Sequence, residues 1–384
     1  MLSWRFHVFA RRRNLASFSS LSDSHVTATA TVPLRAGRAS KFPSTTSTVI
    51  TRDTMGKLYA ISDLHISYKF NHEALHLLKP HPEDTLILAG DVGEKLEHLH
   101  TTFALTTKLF KQVFWVPGNH ELYTLPQSKE VAHENNALSP TSPESAEVPE
   151  PENLRGEMKY FECVKVANEY GVITPEDVYL TWHSDDTPNA TKALICPMFL
   201  LYDYSFRPPY VTREEALDWA MEQNIRATDE SLLHPDPYET RDAWCDALLR
   251  KTEEKLKAAI EKKDEDTKVV LINHWPMRED TICIPAVPRF SLWCGTKRTD
   301  DWHKRFKADV VVTGHLHVRR TDWIDGVRFE EVSLGYPKQW EGARERGKGV
   351  EDMLREILPG PYDEAEKKTD DTLGERRTIW RRNG

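Results

Sequence analysis

Two short segments place carboxylate and imidazole side chains directly after apolar runs of the chain. Asp63 and His65 stand two positions apart in the sequence ISDLH. In an extended chain, residues i and i+2 point to the same side, so both side chains can reach one metal ion. Gly90 and Asp91 end a second apolar run, LILAGD, where the glycine permits a sharp turn. Each segment taken alone is also compatible with an ordinary surface turn or a helix cap.

A third segment, WVPGNHE, adds a side-chain amide and another imidazole. Pro117 stiffens the chain, and Gly118 allows it to bend. At the next two positions, the Asn119 side-chain oxygen can act as a hard metal ligand and the His120 imidazole can act as a proton donor. Glu121 is expected to support this loop rather than to bind a metal ion.

Three further histidines follow apolar runs later in the chain. His274 ends the run VVLINH, where a lone histidine is usually a buried or capping residue. His315 and His317 follow the run VVVTG and stand two positions apart. Two imidazoles on one side of an extended chain are difficult to explain by packing. Neutral imidazoles are typical ligands of Zn, Fe and Mn.

The apolar runs that carry these residues are predicted to be β-strands, because they are short, rich in β-branched or aromatic residues, and bounded by Gly, Pro, Asn or Asp. The predicted strands are 58–62, 85–89, 113–116, 178–182, 192–196, 268–272, 309–313 and 327–332. Helical patterns lie between them at 71–79, 94–111, 158–169, 213–227 and 238–263. Thr212 and Glu215 form a capping box before the fourth helix. Alternating strands and helices indicate an α/β domain with the motif residues at its strand ends.

The motifs DxH, GD, GNHE, NH and GHxH occur together, in this order, between about residues 57 and 335. In this combination they resemble the calcineurin-like metallophosphoesterase superfamily. The resemblance implies an α/β fold of the metallophosphoesterase type, an α/β/β/α sandwich of two mixed β-sheets flanked by helices. It also implies a hydrolase of phosphoric esters with two metal ions at the strand ends.

The resemblance assigns a role to each motif residue. One metal ion would be held by Asp63, His65 and His317. The second metal ion would be held by Asn119, His274 and His315. Asp91 would bridge the two ions, and His120 would donate a proton from outside the ligand set. The two ions would be divalent or of mixed valence, and the choice among Mn, Fe and Zn is left open. A hydroxide shared by the two ions would attack phosphorus.

The surroundings of two motifs differ from those in other branches of this superfamily. The GD motif continues as Val92-Gly93-Glu94 rather than as GDxxDRG, and Trp275 follows His274 in place of HGG. A protein Ser/Thr phosphatase is therefore not predicted. Glu94 also stands where purple acid phosphatases have a tyrosine ligand, so a coloured iron centre is not expected.

Side chains in two loops are candidates for binding the substrate, which is expected to be a small phosphomonoester or phosphodiester. The candidates are Tyr202, Tyr204, Arg207, Arg289 and Trp293. The alternative is that these side chains pack the loops. Residues 200–263 are expected to form either a helical cap over the site or ordinary flanking helices.

The charge distribution argues against a nucleic-acid partner. The 384 residues carry 51 Lys and Arg against 60 Asp and Glu, a formal net charge of −9. Residues 1–54 hold eight of the basic residues and two of the acidic ones, so the rest of the chain sums to −15. An acidic body repels a phosphate backbone, which disfavours the alternative of a nuclease. A non-catalytic scaffold of the same superfamily is disfavoured because every ligand position and His120 are present.

Composition also divides the chain. Residues 1–54, rich in Ser, Thr, Ala and Arg, are expected to be a disordered extension or a transit peptide. The phosphoesterase domain is predicted at 55–340, with a disordered insertion at 133–157 and a charged tail at 341–384.

Five cysteines without CxxC spacing indicate an intracellular protein, cytoplasmic or, if the transit peptide acts, mitochondrial. An apolar run of 18 residues is absent, so no membrane span is expected, and the oligomeric state is left open.

Overall fold

The computed structural model describes residues 56–126, 154–185, 187, 190–360 and 377–381. Residues 1–54 and most of the expected insertion lie outside these ranges, so the extension, the transit peptide and the disordered insertion stay predictions. The last residues of that insertion are described, and they are ordered: Leu154 is buried and a helix begins at Gly156. Among the described residues, no helix is both long enough and apolar enough to cross a membrane.

The described chain alternates between strands and helices. The strands are β1 (Leu58–Ile61), β2 (His81–Leu88), β3 (Phe110–Trp115), β4 (Leu180–His183), β5 (Lys192–Pro197), β6 (Lys268–Ile272), β7 (Val310–Thr313), β8 (Arg319–Ile324), β9 (Val327–Val332), β10 (Arg355–Leu358) and β11 (Arg377–Trp380). The α-helices are α1 (Lys69–Leu75), α2 (Leu96–Leu109), α3 (Gly156–Glu169), α4 (Ala216–Met221), α5 (Asp229–Leu232), α6 (Arg241–Ile260), α7 (Trp302–Arg305) and α8 (Glu341–Glu345). Short 3-10 helices lie at His120–Leu122, Glu279–Thr281, Pro288–Trp293, Lys297–Thr299, Pro337–Gln339 and Val350–Met353.

Two mixed sheets form the centre of the fold. The first has the order β10-β1-β2-β3, in which β1, β2 and β3 are parallel and β10 is antiparallel to β1. The second has the order β11-β8-β9-β7-β6-β5-β4. Strands β9, β7, β6 and β5 are parallel to one another. At the two sides of the sheet, β8 is antiparallel to β9, β11 is antiparallel to β8, and β4 is antiparallel to β5. The predicted α/β architecture with two mixed sheets and flanking helices is thereby confirmed.

The core between the sheets follows from the alternation of side chains along each strand. In β6, Val270 and Ile272 pack between the sheets, and Leu58 of β1 joins the same inner cluster. Val269 and Leu271 belong instead to the larger cluster that includes the helices. A strand buried on both faces appears in the sequence as a continuous apolar run, which explains why the pattern indicates β6 clearly.

The charged tail expected from residue 341 needs correction. Residues 341–360 contain α8 and β10, and β10 pairs with β1 of the first sheet. Ile357 and Leu358 pack into the core between the sheets, so the ordered domain extends past residue 340. The sequence does not predict β8, β10 or β11, because charged residues interrupt the apolar pattern of these strands.

The predicted helices are observed with one substantial change. The helix expected at 213–227 is present only at Ala216–Met221, and the chain turns at Asn224, where φ is +56°. The predicted capping box precedes it: Thr212 N donates to Glu215 Oε2 at 3.0 Å, and Glu215 N donates to Thr212 Oγ1 at 3.3 Å. The local pattern thus predicts the capping box but not the bounds of the helix, which begins only at Ala216.

A buried carboxylate joins the two sheets. Glu330 of β9 is fully buried, and its oxygens accept hydrogen bonds from three side chains. These donors are Thr321, Arg355 and Arg381. Arg355 belongs to the first sheet and lies 2.8 Å from Glu330 Oε1. Burial raises the pKa of this carboxyl, but Arg381, Arg355 and Arg328 outweigh burial and lower the pKa to about 2.

Replacing Glu330 with glutamine is expected to lower the free energy of unfolding by about 3–5 kcal/mol at neutral pH, because buried guanidinium groups lose their partner. The depressed pKa means that this carboxylate contributes stability above the pKa of an unfolded glutamate, and that the contribution is lost as pH falls towards about 2. The difference between wild type and variant should therefore shrink on acidification, as measured by urea unfolding. Glu356→Gln is the control, since the pair of Glu356 with Lys57 is partly exposed and contributes about 0–1 kcal/mol. Equal effects of the two substitutions would contradict the prediction.

Candidate active site

The motif residues of five strands meet at one edge of the two sheets. They are Asp63 and His65 after β1, Asp91 after β2, Asn119 and His120 after β3, His274 after β6, and His315 and His317 after β7. The carboxyl ends of the parallel strands lie at this edge, so residues as distant in sequence as Asp63 and His317 come into contact. The structure brings together every residue predicted as a metal ligand and the predicted proton donor.

Five of these residues have a left-handed backbone conformation. The φ angles are +54° at Asp63, +43° at His65, +54° at Asp91, +76° at His315 and +53° at His317. This conformation costs an L-residue about 1–2 kcal/mol and is retained where surrounding contacts enforce it. The packing around the turns is correspondingly tight: a Cβ atom on Gly118 would lie 2.1 Å from Asp91 Oδ1. The strand ends are therefore shaped to aim side chains into a common space.

A first cluster of donor atoms contains two carboxylates and two imidazoles. Asp63, His65, Asp91 and His317 each offer one donor atom, and these atoms lie within 4.8 Å of one another. His317 Nε2 is 3.0 Å from Asp63 Oδ1 and 3.1 Å from His65 Nε2. Asp91 Oδ2 is 3.8 Å from His65 Nε2. The cluster contains the residues that the resemblance assigns to the first metal ion, together with the expected bridge.

A second cluster lies on the other side of Asp91. The side-chain oxygen of Asn119 is 3.3 Å from His274 Nε2 and 3.2 Å from His315 Nδ1. His274 Nε2 is in turn 3.5 Å from Asp91 Oδ2, so Asp91 lies between the two clusters. His274 Nδ1 lies 2.9 Å from the carbonyl oxygen of Ala89, which accepts its proton and leaves Nε2 free to face the centre.

These donors fit divalent cations. Asp63 Oδ1 is buried and accepts no hydrogen bond from any residue that the structure describes. Burial lowers the pKa of His65 and of His315, which keeps the imidazoles neutral and able to bind a metal. Burial raises the pKa of Asp91, so its ionised form needs a positive charge beside it. Nitrogen and oxygen donors without thiolates suit Mn, Fe or Zn.

The Asp63 carboxylate is held by its other oxygen. Asp63 Oδ2 accepts hydrogen bonds from three groups on three different loops. They are Ser62 Oγ at 2.6 Å, Ser333 Oγ at 2.7 Å and the backbone N–H of His315 at 3.1 Å. This arrangement directs Oδ1 towards the cluster and fixes the loop after β1 against the loops after β7 and β9.

Glu121 is a supporting residue, as expected from its position after the histidine. It is buried, and its Oε2 accepts hydrogen bonds from the backbone N–H groups of Gly118 at 2.7 Å and Asp91 at 3.0 Å. Its Oε1 accepts a third, from Val92 N at 2.5 Å. The side chain thereby joins the loops after β2 and β3 and is directed away from the donor clusters.

His120 forms a pair with Glu94 at the open side of the clusters. Its Nδ1 donates to Glu94 Oε1 at 2.9 Å, and its Nε2 lies 3.9 Å from Asp91 Oδ2. Burial lowers the pKa of His120, but the charges of Asp91 and Glu94 outweigh burial and raise the pKa to about 9. The two carboxylates therefore favour the protonated imidazole, the form that a proton donor needs.

The region that carries these residues matches one protein family. The calcineurin-like phosphoesterase family model covers residues 56–319, which include all five motifs. The chain belongs to this family. The resemblance inferred from the motifs is thereby confirmed. Members of this phosphoesterase family are metal-dependent hydrolases, and the chain is a hydrolase of phosphoric esters.

Known relatives extend the match over most of the chain. [Acyl-carrier-protein] phosphodiesterase PptH of Mycobacterium tuberculosis is 41% identical over 306 residues, which are 79% of this chain and 84% of that protein. The crystal structure of phosphopantetheinyl hydrolase (PptH) from Mycobacterium tuberculosis matches with a TM-score of 0.65 at 40% identity, covering 80% of this chain and 98% of that one. TT1561 of Thermus thermophilus matches with a TM-score of 0.36 at 12% identity, covering 73% and 89% of the two chains.

Three of the substrate-binding candidates in this phosphoesterase are buried. Tyr202, Tyr204 and Trp293 are each at most 1% exposed, so their side chains offer no surface to a substrate. The Tyr204 hydroxyl and the Trp293 indole N–H both donate to Glu230 Oε1 at 2.8 Å. The alternative expectation, that these aromatic residues pack the loops, agrees with the contacts.

The two arginine candidates are occupied by contacts within the protein. Arg207 donates to the carbonyl oxygens of Tyr204 and Val211 at 3.0 and 2.9 Å. Arg289 stacks over the ring of Trp219 at 4.6 Å and pairs with Glu222 at 2.7 Å. Their guanidinium groups hold loops and the end of α4, and their contact with a substrate stays a prediction.

Helix α6 flanks the second sheet rather than covering the site. Its Trp244 and Leu248 belong to the same hydrophobic cluster as Leu194 of β5 and Leu271 of β6. The short helix α5 does reach the site, because Asp229 accepts a hydrogen bond from Asn119. Residues 200–263 were expected to form either a helical cap or ordinary flanking helices, and α6 is a flanking helix.

The motifs do not include several residues that complete the site of this phosphoesterase. The Tyr336 ring lies 4.4 Å from the His65 ring and 4.6 Å from the His317 ring, between centroids. Tyr68 is 46% exposed, and its ring lies 5.3 Å from that of Tyr336. Gln339 Oε1 accepts from His317 Nδ1 at 2.9 Å and so leaves Nε2 free to bind. No spacing rule connects these residues to the motifs, so no sequence signal identifies them.

Replacing Glu94 with glutamine is expected to lower kcat by about tenfold or more, because a charged hydrogen bond to His120 is lost. Removing the carboxylate charge also lowers the pKa of the imidazole. A general acid must be protonated, so the loss of activity at alkaline pH should begin at a lower pH in the variant. The measurement is the pH dependence of kcat with a phosphodiester that has an alkyl leaving group.

The control for this substitution is Glu97→Gln. Glu97 lies in the first turn of α2, three residues beyond Glu94. Its replacement changes the net charge equally and should leave the pH profile unchanged. An alkaline limb that stays in place in Glu94→Gln would show that Glu94 does not tune His120.

Proposed function

We propose that this protein is a metal-dependent phosphodiesterase that releases phosphopantetheine from an acyl carrier protein. The observation that carries the proposal is the 41% identity to an acyl-carrier-protein phosphodiesterase across 84% of that protein. The substrate would then be a protein-bound phosphodiester rather than the small phosphorylated molecule expected from the sequence. The scaffold alternative gains no support, since the donor clusters and His120 are intact, and the acidic charge of the chain outside residues 1–54 disfavours a nuclease.

Two divalent cations are proposed to bind at the two donor clusters. The residues that would hold them are Asp63, His65, His317, Asn119, His274 and His315, with Asp91 shared. When bound, the cations supply positive charge to the phosphoryl oxygens and lower the pKa of water for attack on phosphorus. The contribution of the chain is to hold the donors in place, as Ser62 and Ser333 do for Asp63 and as Ala89 does for His274.

His120 is proposed to protonate the leaving oxygen. Release of phosphopantetheine breaks the bond between phosphorus and the serine oxygen of the carrier protein, and an unprotonated alkoxide is a poor leaving group. The Nδ1–H group of His120 is held by Glu94, which leaves the Nε2–H group directed to the centre, 3.9 Å from Asp91 Oδ2. A general acid of this kind contributes about 10²–10⁴ in rate.

Substrate access is proposed from the side of His120 and His317. Their side chains are 15% and 13% exposed, whereas Asp63, His65 and Asp91 are buried. The rings of Tyr68 and Tyr336 border the same opening. A phosphopantetheine arm that enters here would pass over these two rings before its phosphodiester reaches the clusters.

The experiment that tests this function uses holo-acyl carrier protein as substrate. Metal-free protein, reloaded separately with Mn, Fe or Zn, should convert it to the apo form, with loss of the phosphopantetheinyl mass in intact-protein mass spectrometry. Hydrolysis of bis-p-nitrophenyl phosphate without conversion of the carrier protein would instead support a small diester as substrate. Bound metal without hydrolysis of either substrate would overturn the phosphodiesterase proposal.

A further inference from the structure

A buried carboxylate lies directly behind the second donor cluster. Asp229, at the start of α5, is 2% exposed. Its Oδ1 accepts a hydrogen bond from Asn119 Nδ2 at 3.1 Å and another from the Tyr123 hydroxyl at 2.6 Å. The Tyr123 hydroxyl also accepts from Asn119 Nδ2 at 2.8 Å. Both protons of the Asn119 amide group are thereby directed towards this pair.

The contacts determine which end of the Asn119 amide faces the imidazoles. An amide has one acceptor end and one donor end, and only the oxygen can bind a cation. A carboxylate can only accept hydrogen bonds, so Asp229 attracts the nitrogen end and repels the oxygen end. The oxygen consequently points to His274 and His315, at 3.3 and 3.2 Å. Without Asp229, either the oxygen or the nitrogen of the Asn119 amide could face His274 and His315.

The backbone of Asp229 is itself held by a side chain at the start of α6. Arg241 Nη2 donates to the carbonyl oxygen of Asp229 at 2.7 Å, and Arg241 Nε donates to Leu233 O at 2.9 Å. Arg241 Nη1 also pairs with Glu230 Oε2 at 3.1 Å. Trp293 reaches the other oxygen of Glu230. Arg241 thus fixes the backbone from which the Asp229 side chain extends towards Asn119.

We propose that Asp229 is a positioning residue for the second metal ion, acting through the orientation of Asn119. The other residues assigned to that ion alone, His274 and His315, are neutral, so the Asp229 charge also adds negative potential near the position. Tyr123 shares the positioning role, because its hydroxyl links the carboxylate and the amide. None of the five motifs contains Asp229, which reaches the site from a different segment of the chain.

This inference rests on the proposed binding of two cations, and one experiment separates the two ideas. The full-length wild type, freed of metal, is titrated with Mn²⁺ and followed by electron paramagnetic resonance. Two bound ions with an exchange-coupled spectrum support the two-cation proposal, and one bound ion overturns that part of it. Asp229→Ala, compared with wild type, tests the positioning role whichever number is found.

Asp229→Ala is expected to weaken Mn²⁺ binding by about 10–100-fold at the affected site and to replace coupled signals with those of single ions. Asp229→Asn should recover much of the affinity, because an amide oxygen can still accept from Asn119. Tyr123→Phe should give an intermediate loss and removes only one hydroxyl, so it tests the idea if Asp229→Ala does not fold. Wild-type Mn²⁺ affinity in both Asp229→Ala and Tyr123→Phe would overturn the proposal.

Glu230→Gln is the matched control for these variants. Glu230 is the next residue of α5, is largely buried, and pairs with Arg241. Its contacts support the same segment but do not include Asn119, so its replacement should lower thermal stability without changing Mn²⁺ affinity. A loss of affinity in Glu230→Gln equal to that in Asp229→Ala would mean that general loosening of the segment explains both, and would overturn the specific role of Asp229.

Discussion

Replacement of Asp91 by asparagine is expected to abolish turnover and to lower the metal content of the purified protein. Asp91 Oδ2 faces both donor clusters, 3.8 Å from His65 Nε2 and 3.5 Å from His274 Nε2. An amide nitrogen at this position cannot bind a cation. Metal ions supply several kcal/mol to phosphoryl transfer, so turnover should fall by about 10³-fold or more.

The substitution is expected to leave the loop intact, which makes the result interpretable. Asp91 Oδ1 accepts from the backbone N–H of His120 at 2.9 Å, and an asparagine oxygen can accept the same hydrogen bond. Elemental analysis of the purified variant measures the metal, and hydrolysis of bis-p-nitrophenyl phosphate measures turnover. Asp84→Asn, within β2 and distant from the donor clusters at the end of that strand, is the control and should retain both. Full metal content in Asp91→Asn would exclude a bridging role.

Replacement of His120 by asparagine should leave the metals bound but lower turnover by about 10²–10⁴-fold. His120 lies beside the clusters, and its Nδ1 pairs with Glu94. The loss should be largest for substrates with poor leaving groups, because a nitrophenolate departs without a proton whereas an alkoxide needs one. Comparing holo-acyl carrier protein with bis-p-nitrophenyl phosphate measures this dependence.

His98→Asn is the control for the loss of an imidazole. His98 lies on α2, with Nδ1 3.7 Å from the second oxygen of Glu94, and it is absent from the donor clusters. Its replacement should preserve turnover on both substrates. If His120→Asn released the metals, or if it slowed both substrates equally, the role of His120 as the general acid would be wrong.

The strand-end motifs could be predicted from sequence because each is local. A buried strand is a short apolar run, and the turn after it needs Gly or a strained residue, so LILAGD and VVVTGHLH contain both the strand and its end. The residues in these motifs do lie together in the structure. The order of the strands in the two sheets is not local: the family resemblance implied only a sandwich of two mixed sheets, and the structure supplies the order.

The substrate candidates could not be separated from packing residues by the same means. Tyr204 and Trp293 are aromatic residues in loops near the predicted site, and such residues either bind ligands or pack. Their hydrogen bonds to Glu230 and their burial depend on residues at least 26 positions away in the sequence. The strands β10 and β11 were not predicted for a related reason. Each has a weak hydrophobic pattern of its own and is stabilised by pairing with a strand that is distant in the sequence.

The sequence by itself determined the family, the sandwich fold and the motif residues that meet at the strand ends, because each strand, its terminal turn and its motif residues are neighbours in the sequence. Only the tertiary structure decided how those donors are held. Three hydrogen bonds join residues that are 22 to 110 positions apart in the sequence. They link His120 to Glu94, His317 to Gln339, and Asn119 to Asp229. No periodicity or spacing encodes such pairs, because they arise when separate elements pack against each other and bury polar groups that must find partners.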